Sequence, residues 1–332
     1  MATVSQQAQK MCPELKEAVQ IIDRLAPKYG YGEVFSDLID WLIWQHLFPP
    51  NNDNPIEKYS EKERELFPDI WKIIQTEVKK RVGLWTGLPD EWYAPLGNLY
   101  ECITSIHKSK MLGQYFTPSH IVNLMTQILN PGKLDALDKN SDGVCRILDP
   151  ACGSGRMGLS AAAQCMAKKI PSWVSMNDLD SICTKMTAIN MCLNGVVGDA
   201  TAMNGLDISG KTYRFGYRVV PALIQFPPKM WEYYRMLFLM KTNQDIKKQY
   251  LLIPVTYEQT FLKQTNDRLI SEWEERKKIT DEKEREKAMN ELKATIQSRM
   301  KGTLFENDES QLEGLSLKDK HPEKSIMKAP KK

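Results

Sequence analysis

The sequence has no long apolar run and little net charge. None of its apolar stretches approaches the ~20 residues that a membrane-spanning helix needs, and its first residues lack the basic start and apolar stretch of a secretory signal. We therefore expect a cytoplasmic protein that binds no membrane. Its 45 Lys and Arg residues nearly balance its 42 Asp and Glu residues, for a net charge of +3. Any contact with nucleic acid must then come from a local basic patch.

Cysteine and histidine are too scattered to form a disulfide framework or a metal centre. The seven cysteines are an odd number, and none follows another at two-residue spacing. Four histidines are spread over the whole chain, so we predict no metal site. With 42% hydrophobic and 26% charged residues, the composition is that of a chain that buries a core.

The character of the sequence changes along the chain. Residues 1–112 have helical periodicity throughout, which predicts an all-helical domain. Residues 113–228 alternate short strand and helix signals, which predicts an α/β domain with a parallel sheet. We expect 229–301 to be a helical extension and 302–332, which is lysine-rich with few apolar residues, to be a flexible basic tail.

Local signals predict several element boundaries. In the helical region, Ser60 and Glu63 form the pattern of a capping box, and Pro68 predicts a break before the next helix. In the α/β region, the predicted strands are Val144–Leu148, Trp173–Asn177 and a short third strand at Val196–Val197.

The strongest signal is the segment Ile147–Gly158, in which a buried strand runs into a glycine-rich turn and then a helix. Glycines at 153 and 155 let the backbone approach a ligand closely, since no Cβ stands in the way. Their spacing alone is weak evidence for a dinucleotide. Asp149 changes that prediction, because its carboxylate would repel a pyrophosphate and attract an amino-acid ammonium group. The segment therefore points to S-adenosylmethionine, against the alternative of a purely structural turn.

Two further acidic positions follow the next predicted strands. Asp178 comes 23 residues after Gly155, where a doubly wound fold places an acid that binds ribose hydroxyls. Asp180 is better explained as the N-cap of the following helix. Asp199, after the third predicted strand, either lies near the adenine amino group of the cofactor or belongs to an ordinary turn.

Two motifs together resemble a known family. The sequence D-P-A-C-G-S-G at 149–155, preceded by G-Q-Y-F-T-P at 113–118, is similar to the amino-group DNA methyltransferases of the adenine-N6 class. The resemblance is strongest to the methylation subunits of type I restriction–modification systems and their phage or mobile-element relatives, and it covers about Gln7 to Thr201.

The resemblance implies a Rossmann-like, S-adenosylmethionine-dependent fold, DNA as the substrate, and a location in a bacterial cytoplasm, or in the bacterial host for a phage protein. It also implies a set of residues that bind the cofactor: Tyr115, Phe116, Thr117, Pro118, Asp149, Pro150, Ala151, Gly153, Gly155, Asp178 and Asp199.

The family's catalytic tetrapeptide, Asn/Asp-Pro-Pro-aromatic at the end of the fourth strand, is not intact. In the family, the Asn side chain and a backbone carbonyl accept the hydrogens of the adenine amine, and the aromatic ring stacks on the flipped base. Here Phe226 occupies the Asn position and Lys229 the aromatic position. Phe226 has no hydrogen-bond acceptor in its side chain, and Lys229 offers only donors.

Two interpretations of this segment stay open. In the first, Gln225 supplies the missing carbonyl beside Pro227 and Pro228, with Trp231 or Tyr233 as the stacking ring. In the second, the segment is only a strand end that turns into a helix.

The sheet is a second departure from the family, whose methyltransferase sheets have seven strands. After Pro228 the sequence contains one strand candidate, Leu251–Tyr257, so either the sheet is truncated or its last strands come from elsewhere. No separate target-recognition domain is visible either, so DNA sequence specificity would need a partner protein or specificity subunit. Two functions therefore remain: an active adenine-N6 DNA methyltransferase, or a catalytically degenerate relative (a pseudoenzyme) that binds cofactor, DNA or a partner as an accessory or decoy protein.

Overall fold

The computed structural model describes residues 8, 10–82, 90–107, 116–129, 144–168, 170–207, 209–221 and 250–279, with 282, 284, 286–288, 290 and 291. Tyr115, the Gln225–Lys229 segment and the predicted basic tail at 302–332 lie outside these residues. The chain divides into two compact units, 1–261 and 262–332.

Six helices precede the first strand in the described part of the chain. Apolar residues at helical spacing drive their formation: α1, for example, buries Val19, Ile22 and Leu25 on one face. The predicted helical character of this region is confirmed. The helices are α1 (Lys16–Tyr29), α2 (Tyr31–His46), α3 (Glu61–Arg64), α4 (Leu66–Lys79), α5 (Pro95–His107) and α6 (Ser119–Leu129).

The two local helix signals had different outcomes. Ser60 and Glu63 form the predicted capping box at the start of α3. The predicted break at Pro68 is wrong, because Pro68 is the third residue of α4, which continues to Lys79. A proline in the first turn of a helix costs little, since its missing N–H has no carbonyl partner there in any case.

A sheet of five strands in the order β1-β2-β3-β4-β5 follows the helices. The first three strands are parallel, with helix α7 (Arg156–Ala167) between β1 and β2 and helix α8 (Ser181–Asn194) between β2 and β3. This strand–helix alternation confirms the α/β, Rossmann-like prediction. The strands are β1 (Cys145–Asp149), β2 (Ser172–Asp178), β3 (Gly198–Ala202), β4 (Phe215–Pro221) and β5 (Tyr250–Pro254).

The fourth and fifth strands correct the expectation of an all-parallel sheet. Strand β4 is antiparallel to β3, and β5 is antiparallel to β4. Because β4 runs backwards, it ends at Pro221, beside the amino end of β3, and Pro221 is opposite Tyr250. The chain therefore leaves β4 at the edge of the sheet that holds the amino ends of β1 to β3. The family's fourth strand would instead end at the opposite edge, beside the carboxyl ends of these strands.

Helices and sheet share one core within the first unit. Strand residues in register on one face of the sheet, such as Val174 and Val219, are fully buried, and α8 packs along β2, β3, β4 and β5. All seven cysteines are buried thiols.

Asn194, the last residue of α8, joins the helical region to the sheet region. Its side-chain oxygen accepts a hydrogen bond from the Tyr93 N–H at 2.8 Å, and its side-chain nitrogen donates to the Tyr93 carbonyl at 2.6 Å. Both residues are buried. The side-chain amide of Asn194 therefore pairs with the N–H and the carbonyl of Tyr93, as a neighbouring backbone segment would, in the chain that leads into α5.

Helix α9 begins at Phe261 and ends at Lys277, and all of it after Phe261 belongs to the second unit; its sequence is mostly polar and charged. A bilayer-crossing helix is not found among the described residues. Neither is any group of three His, Cys, Asp or Glu side chains placed to bind a metal ion.

Replacing Asn194 with Ala should destabilise the protein by about 2–4 kcal/mol, because it leaves two buried backbone groups of Tyr93 without partners. Urea denaturation followed by circular dichroism measures the change. Asn51→Ala, at an exposed position, is the matched control and should change the free energy of unfolding by less than about 0.5 kcal/mol. Equal effects of the two substitutions would contradict the bridging role of Asn194.

Candidate functional site

The candidate site is the turn that joins β1 to α7 at the carboxyl edge of the sheet. Strand β1 ends at Asp149, and the chain then turns through Gly153 and Gly155 into the first residue of α7. Both glycines have left-handed backbone angles, with φ of 55° and 85°, which other residues adopt at a cost. Gly155 is the N-cap of α7. The predicted strand–turn–helix is therefore present.

Asp178, the last residue of β2, fixes this turn. One of its carboxylate oxygens accepts the Gly153 N–H at 2.8 Å, and the other accepts the Asp180 N–H at 2.8 Å. Next to it, the Cys152 N–H donates to the Asn177 carbonyl at 2.9 Å. The turn after β1 and the end of β2 therefore form one unit, which brings the predicted residues Asp178 and Gly153 into direct contact.

Asp149 and Asp178 form an acidic pair whose charges are unfavourable in the protein alone. Burial raises the pKa of the Asp149 carboxyl to about 6, opposed by the hydrogen bond from the Ala151 N–H and reinforced by the negative charge of Asp178. Burial also raises the pKa of Asp178, although its backbone hydrogen bonds oppose the shift. Within the described residues, neither carboxylate has an ion-pair partner.

The chemistry of this pair fits a ligand with a positive charge and hydroxyl donors. A bound cation would lower the pKa of both carboxyls and offset their burial. A pyrophosphate would meet two like charges instead. Asp149 could hold an ammonium group in this way, and Asp178 could accept hydrogen bonds from hydroxyl groups.

Phe116 packs directly against the glycine turn. A Cβ added to Gly153 would lie 2.8 Å from the Cδ1 atom of the Phe116 ring, so only glycine allows this contact. The Phe116 ring also lies 5.7 Å from the Tyr100 ring, between centroids. The G-Q-Y-F-T-P segment therefore reaches the turn through Phe116; Tyr115 lies outside the described residues.

Arg156, which sequence reasoning missed, connects this segment to the helical region. Its guanidinium donates to the Thr117 carbonyl at 3.0 Å, to the Asn98 side-chain oxygen at 2.7 Å and to Glu101 Oε2 at 2.6 Å. The other Glu101 oxygen accepts the Phe116 N–H at 2.9 Å. No local pattern in the sequence distinguishes this arginine; its role follows from the structure, in which Arg156 is only 6% exposed and a buried charge needs a partner.

The remaining predicted residues near the turn have structural contacts. Pro118 accepts backbone hydrogen bonds that start α6, and the Ala151 N–H bonds the Asp149 side chain at 3.2 Å. Pro150 packs closely on Gly205, since a Cβ added to Gly205 would lie 2.7 Å from the Cα atom of Pro150. The catalytic candidates Gln225, Pro227 and Pro228 lie outside the described residues.

Asp180 is the N-cap of α8, as predicted, since its carboxylate accepts the Ile182 N–H at 2.7 Å. Asp199 differs from expectation: it is the second residue of β3 and does not follow the strand. Asp149 of β1 is paired with Met176 of β2, which is paired with Ala200 of β3, so Asp149 and Ala200 are in register.

Successive strand residues point to opposite faces, so the Asp199 side chain lies on the other face of the sheet from Asp149. There it forms an ion pair with Arg218, with N–O distances of 2.8 and 3.2 Å. The structure therefore does not bring Asp199 together with Asp149 and Asp178.

Part of this chain is similar to known proteins. Residues 93–213 match the family model described as N-6 DNA Methylase. A crystal structure of the type I restriction-modification system methyltransferase subunit from Streptococcus thermophilus is 22% identical, with a TM-score of 0.28 over 56% of this chain. The chain spans 38% of that protein's length. No curated protein matches.

Replacing Glu101 with Ala should cost about 2–3 kcal/mol of stability, because it removes the carboxylate that pairs with the buried Arg156 and the acceptor of the Phe116 N–H. Thermal unfolding measures the effect. Glu57→Ala, at an exposed position, removes the same charge without these contacts and should be near neutral. A change in Glu101→Ala no larger than in this control would show that the pair does not support the site.

Proposed function

We propose that this chain carries the cofactor-binding part of an S-adenosylmethionine-dependent DNA adenine-N6 methyltransferase. The observation that carries the proposal is the pair of half-buried carboxylates, Asp149 and Asp178, at the glycine turn. The match of residues 93–213 to the N-6 DNA Methylase family supports the choice of reaction.

In this proposal, Asp149 and Asp178 bind different parts of the cofactor. When bound, S-adenosylmethionine supplies an electrophilic methyl group on its sulfonium. Asp149 accepts hydrogen bonds from the ammonium group, and Asp178 accepts them from the ribose hydroxyls while still holding the Gly153 N–H. Phe116 covers the turn from the side.

Methyl transfer also needs hydrogen-bond acceptors for the adenine amine, and the acceptor that this chain offers in our proposal is Gln225, beside Pro227 and Pro228. Gln225 comes four residues after Pro221, the last residue of β4, and four residues span at most roughly 14 Å. The seven residues of β4 span roughly 20 Å, between the edge of the sheet at which Pro221 lies and the edge at which Asp149 and Asp178 lie. This difference in length favours the proposal that a partner completes the acceptor site.

We further propose that a partner protein completes the enzyme and supplies DNA specificity. Support comes from α6, where apolar side chains recur at helical spacing on the exposed side, the pattern of a helix that packs against another chain. Between 38% and 75% of each side chain is exposed. These residues are Ile121, Leu124, Met125, Ile128 and Leu129.

Asp149→Asn should weaken S-adenosylmethionine binding about 10- to 100-fold, because it removes a charge-assisted hydrogen bond to the ammonium group. The same substitution should raise the melting temperature at about pH 8. The folded-state pKa is raised to about 6 from 3.8, so the ionised carboxylate lowers the stability of the folded state at all pH values above about 6. Calorimetric titration and thermal unfolding measure the two effects.

Asp180→Asn is the matched control, since it removes the same charge nearby and an asparagine still caps α8. It should bind the cofactor as the natural chain does. The natural chain should also lose affinity as the pH falls through about 6 and Asp149 becomes protonated, while Asp149→Asn should not. Equal affinity of the Asp149 and Asp180 variants would reject the cofactor assignment.

The isolated chain should incorporate little or no tritiated methyl into adenine-containing duplex DNA, because the acceptor groups and specificity need a partner. The measurement is filter binding of the labelled DNA, with S-adenosylmethionine binding verified in the same preparation. Strong incorporation by the chain alone, lost in Gln225→Ala and kept in the matched amide control Gln75→Ala, would contradict the need for a partner and place catalysis on Gln225.

A further inference from the structure

The first and last strands of the sheet differ in what lies on their outer sides, away from the other strands. The strand order gives β1 and β5 these two positions. The outer side of β5 is covered, because the Phe48 N–H donates to the Leu252 carbonyl at 2.8 Å and Leu47 forms a single β-bridge with Leu252. On the outer side of β1, no strand is found among the described residues. Proteins normally cover such a side, since its unpaired backbone groups pair readily with another chain.

The backbone of Leu148 faces the outer side of β1. The Cys145 N–H donates to the Pro171 carbonyl at 2.8 Å, on the β2 side of the strand. Backbone groups of successive strand residues alternate between the two sides, so those of Ile147 and Asp149 also face β2, and those of Leu148 face away from it. In the described part of the chain, neither the N–H nor the carbonyl of Leu148 has a hydrogen-bond partner.

Both faces of β1 are also covered less completely than those of the neighbouring strand. Val174 of β2 is fully buried, but its partner in β1, Ile147, is only half-buried. On the opposite face, the Leu148 side chain is 49% exposed, whereas its partner Ser175 is 1% exposed. Parallel strands are normally buried on both faces. One more strand on the outer side of β1 would satisfy the Leu148 backbone and cover both side chains.

The sequence offers no further strand candidate for this position. After Pro228 its one candidate is Leu251–Tyr257, and the structure already places that segment in the sheet as β5. Strand β4 pairs with β3 on one side and with β5 on the other, three positions away from β1. These observations favour a strand from another polypeptide.

A second copy of this chain fits the outer side of β1 poorly. Two copies related by a two-fold axis would pair through Leu148 in antiparallel directions. Their two Asp149 residues would then lie diagonally opposite on one face, at about 7–8 Å between Cα atoms. Burial already raises the pKa of Asp149 to about 6, and a second carboxylate nearby would make its charge still less favourable. A partner of different sequence is therefore favoured.

We propose that a partner protein adds one strand to β1, with backbone hydrogen bonds to Leu148 and apolar side chains against Ile147 and Leu148. In strand addition of this kind, main-chain hydrogen bonds supply the affinity. The inference rests on the proposed function, because it names the contact through which the partner joins the chain. Helix α6 is close to this strand, since α6 packs against α7 and α7 packs against β1, so a single partner can contact both.

The test uses a labelled eight-residue peptide of alternating valine and threonine, with a lysine added at each end, as the strand. Fluorescence anisotropy with the full chain measures its binding. The full chain should bind this probe with a Kd below about 1 mM. The same peptide with every amide N-methylated should bind at least about tenfold more weakly, because it has no backbone donors.

Leu148→Pro should weaken binding of the probe at least about tenfold, because proline removes the outward N–H. The strand tolerates this proline, since the N–H that it removes does not face β2. Leu148→Thr keeps the N–H and is the matched control; it should bind the probe within about threefold of the natural chain.

Titration of each variant with S-adenosylmethionine separates this proposal from the cofactor assignment. Unchanged cofactor affinity with reduced probe affinity in Leu148→Pro supports the strand site. A natural chain that binds the probe but not S-adenosylmethionine would reject the proposed function and support the strand site.

Hydrogen exchange of the leucine amides, followed by NMR of the chain with isotope-labelled leucine, locates the added strand. The Leu148 signal is identified by its loss in Leu148→Thr. It should exchange quickly in the chain alone and at least about tenfold more slowly with the probe bound.

Four results would overturn the proposal. The natural chain fails to bind the probe, or binds its N-methylated form equally well. Leu148→Pro binds the probe as Leu148→Thr does. Slow exchange of the Leu148 amide in the chain alone, at every protein concentration, would show that the chain covers β1 itself. Slow exchange only at high concentration, with a dimer in sedimentation, would assign the position to a second copy.

Discussion

The site depends on one carboxylate, that of Asp178, which holds the glycine turn against the end of β2. Its two oxygens accept the N–H groups of Gly153 and Asp180, each at 2.8 Å. The first bond fixes the left-handed turn after β1, and the second positions the residue that caps α8. The turn after β1 and the start of α8 are therefore held by a single side chain, and the pairing of Asp149 with Met176 of β2 places the second carboxylate at the same edge of the sheet.

This arrangement has an electrostatic cost that the backbone hydrogen bonds to the two carboxylates offset only in part. Burial raises the pKa of both Asp149 and Asp178, so their ionised forms are unfavourable in the folded chain. Groups that lower stability in this way are typical of sites shaped for binding rather than for the strength of the fold. Asp199, by contrast, has its charge matched by Arg218 inside the sheet.

The helical region is part of the site. Glu101 and Asn98 of α5 bind Arg156 at the start of α7, and Glu101 also holds the Phe116 backbone. Asn194, the last residue of α8, binds the backbone of Tyr93. Because Glu101 binds both Arg156 and the Phe116 N–H, the position of Phe116 over the glycine turn depends on α5.

The sequence by itself determined what depends on neighbouring residues: the helical amino-terminal region, the glycine turn, the acid at the end of β2 and the N-cap at Asp180. Each is set by local backbone geometry. Only the tertiary structure decided the direction of β4, the face on which Asp199 lies and the pairing of Arg156 with Glu101. Strand direction, register and a contact across 55 residues are fixed by packing between distant segments, which no local pattern records.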